Sequence, residues 1–245
     1  MAYNFYFGDF ESDKVFVDPP NIEMAQREGE LVSIAGKSGD EYIDNGRYKN
    51  VEFERKISII KKGNQSVKQI ADEVIDTLAY LQGYQDFEDT DHEYLFTKAV
   101  LTNFAEVNRD MRKLYRATLR FSRIPFWYSN EGNQYQTVPL STKSKVFENP
   151  YKLDAAPLIE INKIQGGLNP GNFSYSIGTK NYTAPYLNAA GTTVIDCEKQ
   201  VIECNGTKLL GDTPAGFFEG SNTFEILDPL NLISEIRIKP RWRRL

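Results

Sequence analysis

Val51-Glu52-Phe53-Glu54-Arg55-Lys56-Ile57-Ser58-Ile59, followed after a short polar interval by Ser66-Val67-Lys68-Gln69-Ile70-Ala71-Asp72-Glu73-Val74-Ile75-Asp76-Thr77-Leu78-Ala79-Tyr80-Leu81, sets two hydrophobic periods side by side. In the first, Val51, Phe53, Arg55, Ile57 and Ile59 alternate with polar residues, which predicts a strand with one mostly apolar face. In the second, Val67, Ile70, Ala71, Val74, Ile75, Leu78 and Ala79 fall on one stripe of a helix over 66–81. Ser66 and Gln69 form a capping-box pair, and Gly83 stands just past the end. A strand followed by one amphipathic helix implies a sheet with a helix on one face.

Working outward, the pattern is β on both sides. Short strands are expected at Phe5–Phe7, Val15–Val17 and Leu31–Ile34, each bounded by Gly, Pro, Asp or Asn. The stretch Gly36 to Asn50 is turn-rich, and Asp44-Asn45-Gly46 reads as a hairpin turn because Asn and Gly tolerate positive φ. Periodicity leaves Glu93–Glu106 open between a second short helix and a strand pair, and β patterning resumes over Tyr115–Tyr128. Ser129–Ser144 is polar, and the domain boundary is placed inside it, giving units of 1–138 and 139–245. The second holds strands at Leu158–Ile164, Phe173–Ile177, Thr192–Cys197, Val201–Cys204, Phe224–Leu227 and Ile233–Trp242 with no helical stretch, the spacing of a β-sandwich or jelly roll.

Composition agrees. The 15 Phe, 14 Tyr and 2 Trp among 245 residues favour pleated surfaces, and 17 Gly and 11 Pro supply turns. With 29 Lys and Arg against 34 Asp and Glu the net charge is −5, which argues against a nucleic-acid or anionic-membrane binder. No apolar run approaches 18 residues and the N-terminus lacks a signal-like core, so a soluble protein that starts in the cytosol is expected. Two cysteines, Cys197 and Cys204, are too few for a disulfide framework and are expected to be reduced thiols. A hairpin turning near Lys199-Gln200 would not set them opposite each other.

Motifs for chemistry are sparse. Gly36-Lys37-Ser38 has the ending of a phosphate loop, but Leu31 stands where its first glycine is required, and a period-2 strand follows instead of a helix. Asp86, Glu88, Asp89, Asp91 and Glu93 surround the only histidine, His92, without the spacing of an EF-hand, and read as a solvated turn. One histidine without a nucleophile motif argues against Ser-His-Asp chemistry, so no catalytic, cofactor or metal residue is assigned. Lys239, Arg241, Arg243 and Arg244 around Trp242 form a basic C-terminus, read as an edge strand or a protein contact.

Taken in order, three groups of residues resemble the distal tail protein (Dit) family of long-tailed siphophages and prophages. The first is Gly36-Lys37-Ser38-Gly39-Asp40 with Ile43-Asp44-Asn45-Gly46-Arg47-Tyr48-Lys49-Asn50-Val51. The second is the helix with Leu81-Gln82-Gly83-Tyr84 and the acidic turn. The third comprises Asn149-Pro150, Ala156-Pro157-Leu158-Ile159-Glu160-Ile161, Val194-Ile195-Asp196-Cys197, Gly220-Ser221-Asn222-Thr223-Phe224 and Pro240-Arg241-Trp242-Arg243. The segment Phe217-Phe218-Glu219 departs from the family, which usually has a proline after the first aromatic. The resemblance implies a mainly β protein, with an N-terminal β domain carrying one helix and a hairpin, and a C-terminal galectin-like β-sandwich. It also implies a structural virion protein without enzymatic activity or cofactors. Such a protein forms a homo-hexameric ring at the virion tail tip, assembled in the bacterial host cytoplasm. The ring joins the tail tube and tape-measure proteins to the tail-associated and receptor-binding proteins of the baseplate. Beside that resemblance, Asp44, Asn45, Gly46, Arg47 and Tyr48 are the candidate inter-subunit hairpin, because the stretch is too long and polar for core yet bounded by strands. The alternative is a carbohydrate-binding adsorption module recognising a cell-wall saccharide.

Overall fold

Alternation decides the first strands to be described, because a side chain every second residue must leave water. The computed structural model describes residues 3–60, 64–111, 114–163, 171–186, 190–214, 216–227 and 233–245. In chain order the strands of the first part are Phe5–Phe7 (β1), Phe10–Glu11 (β2), Phe16–Val17 (β3), Arg27–Ser33 (β4), Asp40–Tyr48 (β5) and Val51–Ile60 (β6). The helix Val67–Tyr80 (α1) follows, then Gln85–Asp89 (β7), Leu95–Met111 (β8) and Leu114–Arg123 (β9). Along β6 every second residue from Val51 to Ile59 is buried, as the pattern requires. The capping box at Ser66 and Gln69 is formed, with reciprocal bonds of 3.2 and 2.8 Å. Val67, Ile70, Ala71, Val74 and Leu78 are the buried stripe. Of the stretch left open over Glu93–Glu106, everything from Leu95 is strand β8.

The main sheet runs in the order β2-β1-β7-β8-β9-β6-β3, antiparallel throughout. The helix lies against β2, β6 and β9. Its core is aromatic: Phe5 stacks on Phe87 at 5.4 Å, Phe53 on Phe121 at 5.0 Å, and Phe7 meets Phe121 edge-on at 5.1 Å. Each such ring stabilises the fold by about 1.5–3 kcal/mol through burial alone. Strands β4 and β5 pair only with each other, as a separate two-stranded sheet.

Trp127–Ser129 (β10) carries the chain into the second compact unit. Contacts divide the protein into residues 1–127 with Leu245, and residues 128–244. The division precedes 138/139 because the polar segment in between is bonded into the second unit. The Ser129 N–H donates to the Trp242 carbonyl at 2.9 Å and the Val138 N–H to the Ile236 carbonyl at 2.9 Å. The remaining strands are Gln136–Thr137 (β11), Ser144–Asn149 (β12), Leu158–Lys163 (β13), Gly171–Ile177 (β14), Lys180–Tyr186 (β15), Gly191–Asp196 (β16), Val201–Cys204 (β17), Thr207–Leu209 (β18), Gly220–Ile226 (β19), Ile233–Lys239 (β20) and Arg243–Arg244 (β21).

One sheet has the order β11-β20-β13-β16-β17-β18 and the other β12-β19-β14-β15. Ile159, Ile195, Ile236 and Ile238 of the first share one core with Phe147, Phe173, Tyr175 and Phe224 of the second, so the unit is a β-sandwich. Pro185 sits in β15, an edge strand, where its missing N–H costs no ladder bond. Strand β20 pairs with β11 and β13 and so belongs to the sandwich. Asp196 stands opposite Val201 and Thr193 opposite Cys204, so the two cysteines are not cross-strand partners; both are free and buried. Burial pushes the Cys197 thiol up to about 12, which leaves it an unreactive core group.

The basic C-terminus, read as an edge strand or a protein contact, includes strand β21 and is bonded into the second unit. Arg241 donates to both oxygens of Asp196, at 2.8 and 3.4 Å, and Arg243 Nε to the Asp154 carbonyl at 2.7 Å. Trp242 between them is buried against Phe217, 5.6 Å centroid to centroid. Two motif asparagines are buried for the same kind of reason. Asn149 Nδ2 donates to the Leu153 carbonyl, and Asn222 bonds the Phe218 N–H, the Phe218 carbonyl and the Gly220 carbonyl, holding their loops closed.

Candidate functional site

The hairpin β4–β5 is the candidate assembly element, and its geometry differs from the one its turn residues suggest. The tip lies at residues 34–39, where the Lys37 N–H bonds the Ile34 carbonyl at 3.1 Å and Gly36 and Gly39 take φ of +83° and +89°. The phosphate-loop ending is therefore a hairpin tip, and Lys37 pairs with Glu41 at 2.9 Å.

Asp44-Asn45-Gly46 is not a turn between strands. Glu28 faces Arg47 and Gly29 faces Asp44, so Asn45 and Gly46 are the extra residues of a bulge inside β5. Gly46 takes φ +74°, and its N–H donates to Asp44 Oδ1 at 2.8 Å. That bond and the Arg27 guanidinium hold the Asp44 carboxyl below its ordinary range.

The five candidate residues thus shape the base of the hairpin. Asp44 bonds Arg27, Arg47 bonds Glu28, and Tyr48 takes the Arg27 guanidinium over its ring at 5.2 Å and meets Phe126 edge-on at 6.0 Å. Asn45 is exposed.

The surface the hairpin offers comes from residues that the motif reading passed over. Leu31 stands opposite Tyr42, and Glu30 opposite Ile43, so Leu31 and Tyr42 share one face while Ile43 occupies the other. All three are exposed, Leu31 by 68%. The tyrosine is seated on Gly29, where a Cβ would lie 2.4 Å from the ring and 2.6 Å from the Ile43 carbonyl, so only glycine fits. The adjacent apolar pair Tyr42-Ile43 breaks the alternation of a half-buried strand, which is the signal in the sequence for a hairpin apolar on both faces. A two-stranded sheet with no third strand and no packed face is marginal in water.

The turn read as solvated is partly buried. Asp89 is enclosed: Oδ2 accepts from the Tyr3 hydroxyl at 2.9 Å, and Oδ1 from the His92 N–H at 2.9 Å, with His92 Nδ1 at 2.7 Å. Asp89 also pairs with Arg55. The His92 ring stacks on Trp127 at 3.9 Å, and the Arg123 guanidinium lies 5.1 Å from the same indole. Burial, with Arg55 nearby, brings Arg123 down to about 10. Among the described residues no three His, Cys, Asp or Glu side chains are grouped to hold a metal.

Burial alone would raise the Asp89 carboxyl, but the hydrogen bonds and charges of His92, Tyr3 and Arg55 outweigh it and hold the group below its ordinary value. The stability it contributes is therefore complete above the unfolded carboxyl value of about 3.9 and is lost as pH falls through the lower folded value. Urea midpoints of the first unit are expected to drop between about pH 5 and pH 2, and to drop less in Asp89→Asn. An unchanged acid limb in that variant would assign the loss to other groups.

No protein-family model matches the chain, and no curated protein matches it. Among solved structures it is similar to the Dit protein of phage SPP1, described as a paradigm of the hub adsorption apparatus in phages infecting Gram-positive hosts. The two share 12% identity over 100% of each chain, with a TM-score of 0.65. A chain of the phage p2 baseplate, in its activated conformation with Sr, is 12% identical over 100% of this chain and 98% of that one, with a TM-score of 0.49. From its first strand to its last, this chain carries the fold of a phage Dit hub protein.

Proposed function

We propose that this chain is the distal tail protein of a long-tailed phage or prophage. Six copies form a ring hub that joins the tail tube and tape-measure proteins to the tail-associated and receptor-binding proteins of the baseplate. Its place is the virion tail tip, it is assembled in the host cytoplasm, and it has no enzymatic activity. The observation that carries this reading is the likeness to SPP1 Dit over the whole of both chains.

The exposed hairpin supports it, because a closed ring needs one surface on each subunit to meet a different surface on the next. We assign ring formation to the N-terminal unit and contact between subunits to the hairpin based on Asp44, Asn45, Gly46, Arg47 and Tyr48. Light scattering with size exclusion at high protein concentration is expected to give about six times the 28.0 kDa subunit mass. Replacing residues 44–48 with a short linker is expected to leave a folded subunit that stays at the monomer mass. A linker variant that still forms rings of full mass would remove the hairpin from the interface. A wild-type chain that stays monomeric at the highest soluble concentration, with no ring in electron micrographs, would overturn the hub reading.

A further inference from the structure

Arg55 occupies a β6 position that alternation reserves for an apolar side chain, and it is 1% exposed. Its guanidinium carbon lies 4.6 Å from the ring centre of Phe53 and 5.5 Å from those of Tyr3 and Phe87. Nε donates to the Tyr3 hydroxyl at 2.8 Å, Nη2 faces Asp89 at 3.5 Å, and Nη1 donates to Glu23 Oε1 at 2.7 Å. Asp89 belongs to strand β7, and Tyr3 lies two residues ahead of β1. Glu23 belongs to no element.

Glu23 lies in the irregular stretch 18–26, whose Ile22 and Met24 on either side are 95% and 78% exposed. From Pro19 to Ala25 that stretch makes no backbone–backbone hydrogen bond to another described residue. One carboxylate is therefore drawn inward between two side chains, Ile22 and Met24, that face water. The segment runs directly into Arg27, the first residue of β4. At the root of the hairpin the Lys49 N–H bonds the Gln26 carbonyl at 2.9 Å, Tyr48 meets Phe126 edge-on, and just beyond β5 Asn50 Nδ2 donates to the Tyr84 hydroxyl at 2.7 Å.

We propose that the Glu23–Arg55 pair is a latch that fixes the direction in which the hairpin leaves the sheet, making Glu23 a positioning residue for assembly. The partner it serves is a second copy of this chain, and in that respect the inference rests on the hub reading above. The physical basis is that a charged hydrogen bond inside a core is far stronger than the same pair in water, while the hairpin alone is marginal. An arm that is held in one direction also loses less freedom when a neighbour captures it.

The test is residue-resolved amide exchange on the full chain, dilute enough to be monomeric, comparing wild type with Glu23→Gln. The variant keeps the shape of the side chain and removes its charge. Amides of the hairpin, 27–33 and 40–48, are expected to exchange about tenfold faster or more, with β6 and β9 unchanged. The concentration needed for ring formation is expected to rise in the same variant. Asp76→Asn, an exposed change on helix α1 away from the hairpin, is the control and should move neither readout.

Hairpin exchange equal to wild type in Glu23→Gln would overturn the latch. So would a loss of protection spread evenly over β6 and β9, which would make Glu23 a general stabiliser of the unit. If exchange changes as expected but the wild-type chain never exceeds the monomer mass, the latch stands and the hub reading fails.

Discussion

Arg55→Ala is expected to lower the stability of the N-terminal unit by about 3–5 kcal/mol, a large fraction of what a domain of this size has to lose. Removing the guanidinium leaves Asp89, wholly enclosed, and Glu23, largely enclosed, without their shared cation. It also opens a cavity between the rings of Phe53, Phe87 and Tyr3. The penalty arises from the abandoned charges more than from the lost contact. The companion variant Arg55→Met with Glu23→Gln and Asp89→Asn removes all the charges together and is expected to recover a substantial part of the loss. Denaturant titration of both variants, with amide exchange to confine the effect to residues 3–127, is the measurement. A loss below about 1 kcal/mol in Arg55→Ala would mean that the site relaxes to admit water to the carboxylates.

Trp242→Ala is expected to cost the C-terminal sandwich a similar amount, about 3–5 kcal/mol. The indole is 3% exposed and packs on Phe217. Collapse around the lost ring is blocked from one side by backbone. Gly132 approaches so closely that a Cβ there would lie 2.5 Å from the Trp242 nitrogen. Arg241, at φ +56° and bonded to Asp196, holds the preceding residue in place. Exchange of amides in β13 and β20 should accelerate by two orders of magnitude or more, while β6 and β9 keep their protection. If the loss stayed under about 1 kcal/mol, Trp242 would be a surface lid and not a member of the core.

These two residues also mark what was legible in the sequence and what was not. The strand β6 and the helix α1 were legible because each carries its own period and, for the helix, its own cap; nothing distant is needed to form either. Arg55 was visible as the odd member of an apolar row, but its partners were not. Asp89 is 34 residues away and Glu23 is 32 residues away. A carboxylate in an acidic run looks solvated until the fold sets an arginine against it.

The same limit explains Asp44-Asn45-Gly46. Positive φ at a glycine serves a hairpin turn and a bulge alike, and only the facing strand distinguishes them. Strand β15 escaped notice because Pro185 and its polar neighbours look like a loop; an edge position makes them compatible with a sheet. The run around Trp242 reads as an edge strand or a protein contact because charge is counted locally, whereas Asp196 and the Asp154 carbonyl, which fix Arg241 and Arg243, lie far back along the chain. For the candidate site, the stretch containing the hairpin was legible from its turn chemistry. The exposed side chains Leu31, Tyr42 and Ile43 were not, because pairing register decides which face each one takes.

The pairing of β1 with β7 has a further consequence for how the chain is made. Tyr3 meets Asp89 across 86 residues, and in the β1–β7 ladder Phe5 faces Asp89 and Phe7 faces Phe87. On a ribosome adding about 5–20 residues per second, the first strand waits about 4–17 s before its partner exists. During that time the aromatic side chains of β1 have no sheet to join, while hairpin β4–β5 and helix α1 can close on local contacts. The order of emergence and the order of stable structure are therefore opposed in this unit: β1, made before the hairpin and the helix, is locked after them.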